Sequence, residues 1–219
     1  EIPLYYEVSG SGRPLVRLHG NGEDRRVFDD LIPRLAEHFQ VYALDSRCHG
    51  KSGTGELSYA AMAGDVAAFI RGLGLAKPGL LGFSDGAIVG LLLAIGQPDL
   101  LGALVSCGAN TRPEEVRWWF RACVWAVHAV TRDPKLRLML KEPDISPEQL
   151  SRIRVPTLVA AGSRDLMAQR YTRALAAAIP GSELAILPGR THTGYIRRSA
   201  GLAALALPFL QAALPAGNA

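Results

Sequence analysis

The chain has 219 residues, 48% of them hydrophobic and 20% charged, which is enough for one sizeable core but short for two independent domains. The net charge of +4 arises from 24 Lys and Arg against 20 Asp and Glu. No basic run concentrates that excess, so a nucleic-acid partner is not expected. Because no apolar stretch reaches the roughly 20 residues that cross a bilayer, no membrane partner is expected either.

The cysteines bear on the compartment. There are three of them, at positions 48, 107 and 123, an odd number without metal-like spacing. This pattern is typical of free thiols in a reducing compartment. A cytoplasmic location and the absence of a metal site are therefore expected.

The first part of the chain alternates between strand-like and helix-like segments. In chain order the predicted elements are a strand over Ile2–Val8, a strand over Pro14–Leu18, a helix over Val27–Phe39, a strand over Gln40–Asp45 and a helix over Tyr59–Leu73. The first helix rests on apolar residues at steps of four, with Pro33 as an internal flaw. Ser58 is a plausible cap for the second helix.

The alternation continues, and its apolar runs are nearly unbroken. The predicted elements are a strand over Gly79–Leu81, a helix over Asp85–Gly96, strands over Leu101–Cys107 and Thr157–Ala161, a helix over Ala168–Ile179, a strand over Leu184–Leu187 and a helix over Tyr195–Leu210. Such runs bury both faces of a strand, which is typical of a parallel sheet covered by helices. The sequence predicts one doubly wound, mostly parallel α/β sheet, with its strand ends and following loops along one edge.

Residues 111–151 interrupt this rhythm. They carry Trp118, Trp119 and Trp125, all three tryptophans of the chain, on a helix-like segment. We interpret residues 1–110 and 152–219 as the core and 111–151 as a small helical lid. The alternative is a helix pair whose aromatic side chains only fill the core.

The segment Gly82-Phe83-Ser84-Asp85-Gly86 joins the central strand to the helix behind it. A serine at the apex of such a strand-turn-helix projects its hydroxyl away from the backbone, and the glycines are needed because a Cβ would collide with neighbouring elements. The amide groups at the helix start would face an oxyanion formed there. Ser84 is therefore the candidate nucleophile.

A serine hydroxyl needs a base, and the base needs a carboxylate to orient it. His192 lies in a loop after the last strand, and Asp165 lies just past Thr157–Ala161. The alternatives are a structural histidine and an aspartate that accepts loop amides or caps a helix. The other usual site for this carboxylate, after the Leu101–Cys107 strand, offers only Asn110 before Glu114.

The oxyanion donors are predicted from two turns. Gly20 and Gly22 flank Asn21, so the Asn21 backbone can approach a bound carbonyl, and its amide could pair with that of Asp85. A plain glycine turn is the alternative. The Asp85 side chain is expected to match the helix dipole and to disfavour anionic groups near the acyl pocket.

The order Ser, Asp, His, with a histidine-glycine turn after an early strand and Gly-x-Ser-x-Gly after a middle one, resembles the α/β-hydrolase superfamily. The resemblance is closest to small, lidded, esterase-like members, in which the lid follows the sixth strand of the family's sheet. It implies acyl transfer on a small carboxylic ester or lactone by Ser84, His192 and Asp165, without a cofactor. Trp118, Trp119 and Phe28 are expected to roof the substrate pocket.

The resemblance leaves several points open. Thioester, carbon–carbon or perhydrolysis chemistry could use the same three residues, and a hydrolase-fold binding protein would turn over little or no substrate. A monomer and a homodimer are both compatible with the sequence. The family also starts with two antiparallel strands, whereas only Ile2–Val8 is present here.

One residue departs from the family's Asp-x-Arg-Gly-x-Gly-x-Ser pattern. The corresponding segment runs from Asp45 to Ser52, and Cys48 stands at the first glycine. If that position needs a positive backbone angle, a cysteine there costs about 1 kcal/mol or more.

Overall fold

One seven-stranded sheet organises the computed structural model, which describes residues 2–197 and 200–214. Its strands are β1 (Tyr6–Ser9), β2 (Arg13–Leu18), β3 (Phe39–Leu44), β4 (Gly79–Phe83), β5 (Ala103–Cys107), β6 (Thr157–Arg164) and β7 (Glu183–Thr191). Their order is β1-β3-β2-β4-β5-β6-β7, and every pairing is parallel except β1 with β3. The predicted doubly wound, mostly parallel sheet is confirmed.

Helices cover both faces of this sheet. They are α1 (Ile32–Ala36), α2 (Tyr59–Gly72), α3 (Asp85–Gly96), α4 (Trp118–Thr131), α5 (Pro134–Lys141), α6 (Pro147–Leu150), α7 (Gln169–Ala178), α8 (Gly194–Arg197) and α9 (Ala200–Ala213). Apolar residues of α2, α3 and α7 form one core layer, and those of α1, α8 and α9 form the other. Ser58 caps α2 as predicted, because its side chain accepts a hydrogen bond from the Ala61 amide.

Two predicted elements differ from the structure. The helix over Val27–Phe39 is wrong: a 3-10 turn covers Arg25–Phe28, and α1 is only five residues long. Pro33 lies in the first turn of α1, where its missing N–H is tolerated, and so marks a helix start. The predicted strand Ile2–Val8 begins later, at Tyr6. The predicted helix over Tyr195–Leu210 is present as α8 and α9, and residues 198–199 between them lie outside the described part of the chain.

Strand order places the catalytic candidates. β2 lies between β3 and β4 in the sheet although β3 follows β2 in the chain, so the chain changes direction between β2 and β4. The loops after these two strands diverge and leave a crevice at the carboxyl edge, where open α/β sheets bind ligands. Residues Asn21 and Ser84 follow β2 and β4 at this crevice.

The 111–151 segment is helical and leaves the sheet at that same edge. The Thr111 carbonyl accepts a hydrogen bond from the Ile145 amide at 3.0 Å, which holds the two ends of this segment together. The Arg117 amide donates to the Leu166 carbonyl at 3.0 Å, which anchors the start of α4 beside the loop after β6. Across the described residues no helix is long and apolar enough to span a membrane.

Candidate active site

Ser84 stands on a sharply strained turn between β4 and α3. Its backbone angles are φ 52° and ψ −114°, a combination that L-residues rarely adopt and that costs on the order of 1–3 kcal/mol. The turn is held because the Ser84 amide donates to the Cys107 carbonyl at 2.8 Å and the Gly86 amide donates to the His19 carbonyl at 3.1 Å. A Cβ on Gly86 would collide with the Leu18 backbone. Only glycine therefore lets α3 start this close to β2.

Asp165 and His192 form a buried hydrogen-bonded pair. His192 Nδ1 lies 2.6 Å from Asp165 Oδ1, and the Asp165 side chain is fully buried. Burial alone would raise the pKa of Asp165, but the hydrogen bond and charge of His192, with the amides of Gly162 and Leu166, lower it below its usual value. Asp165 therefore stays ionised and holds the proton on Nδ1, which leaves His192 Nε2 free to accept one.

Ser84 and His192 line the same cavity, which has a volume of about 660 Å³. Within the described part of the chain the serine hydroxyl and the imidazole make no direct hydrogen bond. Such bonds are often long in enzymes without substrate and shorten when it binds. Asp165 therefore contacts His192 directly, and Ser84 lines the same cavity as this pair.

The backbone amides of Asn21 and Asp85 are the predicted oxyanion donors. Neither N–H has a protein acceptor among the described residues, although most backbone donors nearby are paired. The Asn21 side chain donates to Asp85 Oδ2 at 2.9 Å and to the Lys135 carbonyl at 3.1 Å. This side-chain bridge ties the loop after β2 to the start of α3, so the two amides are held relative to each other.

The Asp85 carboxylate lies inside the protein. It is 3% exposed, and its other oxygen accepts a hydrogen bond from the Tyr59 hydroxyl at 2.8 Å. Burial raises the pKa of Asp85 to about 6, although the hydrogen bonds from Asn21 and Tyr59 oppose the shift. Both oxygens are engaged by neighbouring side chains, and Asp85 lines a small cavity together with Ser84 and His192. That its charge disfavours anionic groups near the acyl pocket stays a prediction.

The predicted pocket roof is only partly correct. Trp119 lines the cavity, together with Phe120, Val124, Leu136 and Met139. Phe28 is fully buried in the core, where the Arg17 guanidinium lies 3.9 Å from its ring centroid.

Trp118 is likewise absent from the cavity wall, and its side chain is 79% exposed. The reason is helical periodicity. Residues 120 and 124 share one face of α4, and residue 118 lies on the opposite side.

The other histidines near the crevice are structural. His19 Nε2 accepts a hydrogen bond from the Ser46 amide at 2.9 Å, and burial lowers the pKa of His19 to about 4. His49 Nε2 accepts from the Gly22 amide at 3.1 Å. Both rings therefore hold the loops after β2 and β3 in place.

Cys48 has a φ of 61°, so the conformation that favours glycine is present. The cysteine accepts it without rebuilding of the loop, since the Cys48 amide still donates to the Gly53 carbonyl at 2.9 Å.

Sequence reasoning missed several supporting residues. Gly108, after β5, has φ 66°, and a Cβ there would lie 2.9 Å from His192 Cε1 and 2.6 Å from the Tyr195 hydroxyl. Arg117 donates through Nε to the Asp165 carbonyl at 3.0 Å. Gly108 could have been found from its place at the sheet edge, whereas Tyr59 and Arg117 come from distant helices and gave no local signal.

The donor groups present do not suggest a metal site. Among residues 2–197 and 200–214, no group of three or more His, Cys, Asp or Glu side chains is arranged to hold a metal ion.

Comparison with known proteins places these features in context. A family model described as alpha/beta hydrolase fold matches residues 13–147. The chain is 34% identical over 113 residues to a pimeloyl-(acyl-carrier protein) methyl ester esterase of Sodalis glossinidius, a match that covers 51% of this chain and 42% of that protein. It is 36% identical over 107 residues to a 2-(acetamidomethylene)succinate hydrolase of Mesorhizobium japonicum, covering 48% and 38% respectively. The chain thus spans about two fifths of the length of these two relatives in the matched regions.

A solved structure extends the likeness to nearly the whole chain. The enol-lactonase of Burkholderia xenovorans LB400 superposes with a TM-score of 0.82 at 23% identity, covering 96% of this chain and 97% of that one. At this identity the likeness shows a shared fold.

Proposed function

The chain belongs to the alpha/beta hydrolase fold family, and from this membership and the geometry of the crevice we propose that it is a serine hydrolase acting on a small carboxylic ester or lactone. The names of its relatives support the class, since they include a methyl ester esterase and a succinate-derivative hydrolase. The single observation that carries the proposal is the buried Asp165–His192 pair on the wall of the cavity that also contains Ser84.

The proposed mechanism uses these groups in turn. The Ser84 hydroxyl attacks the carbonyl carbon while His192 Nε2 takes its proton, and the carbonyl electrons move onto the oxygen. The resulting oxyanion accepts hydrogen bonds from the Asn21 and Asp85 amides, and one such donor is typically worth about 3 kcal/mol. His192 then protonates the leaving alcohol oxygen as the tetrahedral intermediate collapses to an acyl-serine. A water deprotonated by His192 releases the acid and restores the serine.

The residues that line the cavity indicate which acyl groups the substrate carries. Phe120, Val124, Leu136 and Met139 all belong to α4 and α5 and present apolar surface to the cavity. An uncharged hydrocarbon acyl group gains about 25 cal/mol for each Å² buried against such a wall. We therefore expect neutral aliphatic esters and lactones to be turned over better than polar acyl groups of the same length.

The other chemistries open to this set of residues remain alternatives. Thioester, carbon–carbon and perhydrolysis reactions all begin at an activated serine, and the shape of the site rather than the fold separates them. A binding protein with little turnover would not need an ionised Asp165 or unpaired amides at the crevice. These features favour turnover.

The test uses an organophosphonate that labels activated serines, followed by hydrolysis of p-nitrophenyl acetate. The parent protein should be labelled at Ser84 and then lose activity. Ser84→Ala should be neither labelled nor active, while Ser151→Ala, an exposed serine beyond α6, should behave like the parent. Equal hydrolysis by Ser84→Ala and the parent would show that the assignment is wrong.

A further inference from the structure

Tyr195 is a fully buried tyrosine whose hydroxyl is unpaired. Its side chain is 0% exposed, and its oxygen makes no hydrogen bond to any group of residues 2–197 and 200–214. A buried hydroxyl left unpaired destabilises a fold, and a phenylalanine would fill nearly the same volume without that cost. Packing therefore explains the ring of Tyr195 but not its hydroxyl.

The hydroxyl lies beside the Asp165–His192 pair. A Cβ on Gly108 would lie 2.6 Å from the Tyr195 oxygen and 3.0 Å from His192 Nδ1, so both groups border the same small gap. Within the described chain, the titratable groups that face the hydroxyl are Asp165, His192 and the thiol of Cys107. Burial and the charge of Asp165 raise the pKa of Tyr195 well above its usual value. The hydroxyl thus keeps its proton and is available as a donor.

The ring of Tyr195 packs in the same place as the imidazole. The Phe83 ring centroid lies 6.2 Å from that of Tyr195 and 4.7 Å from that of His192, so one phenylalanine contacts both. Tyr195 belongs to α8, which begins two residues after His192. The buried ring therefore anchors the segment that carries His192, and a phenylalanine at position 195 would keep this anchor.

The Asp165 carboxylate has capacity for one more donor. Its Oδ1 accepts hydrogen bonds from His192 Nδ1 and from the Leu166 amide, both at 2.6 Å. Its Oδ2 accepts only from the Gly162 amide, at 3.1 Å. Because each carboxylate oxygen can accept two hydrogen bonds, Oδ2 has one free position.

We propose that Tyr195 is a positioning residue whose hydroxyl donates to the Asp165 carboxylate and so fixes the direction in which His192 faces Ser84. Active-site hydrogen bonds are often long before substrate binds, as the Ser84–His192 contact already is, and shorten in the complex. An added donor keeps the carboxylate from rotating while the imidazole gains and loses a proton. The kinetic consequence rests on the proposed function, whereas the contact with Asp165 does not.

The test compares Tyr195→Phe with Tyr42→Phe. Tyr42 is also buried, but its hydroxyl is paired with Gln40 Oε1 at 2.9 Å. With p-nitrophenyl acetate, Tyr195→Phe should lower kcat about tenfold and leave KM within about twofold, because positioning acts in the transition state. Its midpoint of thermal unfolding should rise by about 2–4 °C, because an unpaired buried hydroxyl is removed. Tyr42→Phe should keep the parent's kcat without raising the midpoint.

A second readout does not depend on turnover. The proton between His192 Nδ1 and Asp165 Oδ1 gives a far-downfield ¹H NMR resonance, which His192→Gln assigns by removing it. Tyr195→Phe should shift this resonance, and Tyr42→Phe should leave it in place. If the parent hydrolysed no ester, the proposed function would fail, while the resonance would still test the contact between Tyr195 and the pair.

Three outcomes would overturn the proposal. These are a kcat of Tyr195→Phe within twofold of the parent, an unfolding midpoint that falls together with kcat, and an Nδ1–H resonance that stays in place. The second outcome would assign the hydroxyl to the stability of the fold.

Discussion

Replacing Asp85 by asparagine tests whether a buried charge beside the nucleophile destabilises the fold. Burial raises the pKa of Asp85 from 3.8 to about 6. Between these pH values the folded protein keeps a proton that the unfolded chain has lost, so the free energy of unfolding falls as the pH rises. At 1.36 kcal/mol for each pH unit the loss reaches about 3 kcal/mol by pH 7. Asp85→Asn removes it, because an amide has no proton to lose in this range.

The asparagine can keep the local hydrogen bonds. Its oxygen can accept from the Asn21 side chain and its NH₂ can donate to the Tyr59 hydroxyl, which reverses the direction of one bond. The variant should therefore gain stability over the parent as the pH rises from 4 to 7, by up to about 3 kcal/mol.

The assay is urea unfolding followed by far-ultraviolet circular dichroism at several pH values, since all three tryptophans lie in α4 and report on that helix alone. Asp99→Asn, at an exposed position, serves as the control for replacing a carboxylate by an amide outside the core. A difference between Asp85→Asn and the parent that stays constant within about 0.5 kcal/mol from pH 4 to 7 would refute the reasoning.

Three further predictions concern the site and its supports. Asp165→Asn should lower kcat/KM for an ester by about 10³–10⁴, because an amide favours the wrong tautomer of His192, and should also destabilise the fold by about 1–3 kcal/mol, because its NH₂ group would face one of the Gly162 and Leu166 amides that the carboxylate accepts; steady-state kinetics on the folded variant measure the first effect, and a loss below tenfold would contradict it. Gly86→Ala should cost more than about 4 kcal/mol in urea unfolding or prevent folding, since its Cβ meets the Leu18 backbone. Gly64→Ala, in open space on α2, should instead gain about 0.5–1 kcal/mol. Cys48→Gly should raise the free energy of unfolding by about 0.5 kcal/mol, because the relief of backbone strain at φ 61° exceeds the entropy that glycine gains in the unfolded chain. A lower urea midpoint of unfolding would contradict it.

The parallel sheet could be predicted because its signals are local. Apolar runs such as that of β5, bounded by glycine, identify buried strands whatever surrounds them. The loops after such strands share one edge, and this rule together with the resemblance to the α/β-hydrolase superfamily predicted Asp165 beside His192, a pairing that the structure contains.

The errors occurred where the choice depends on packing. The apolar spacing from Val27 to Phe39 suits a helix, but Phe39 belongs to β3 and Phe28 to a 3-10 turn, so the spacing joined two separate elements. The Tyr59–Asp85–Asn21 chain of hydrogen bonds links three elements that are distant in sequence. No local sequence pattern predicts such a network, because its members come together only when the elements that carry them pack against one another.

Helix α4 shows a third kind of limit, in which the sequence is ambiguous for a physical reason. In an amphipathic helix, the contrast between the apolar face and the polar face identifies which face is buried. In α4 the exposed face carries Trp118 and Trp125 while the cavity face carries Phe120 and Val124, so both sides are apolar and periodicity cannot orient the helix. Because Trp118 and Trp119 are adjacent and of the same type, only the packing of α4 decides that Trp119 lines the cavity while Trp118 is 79% exposed.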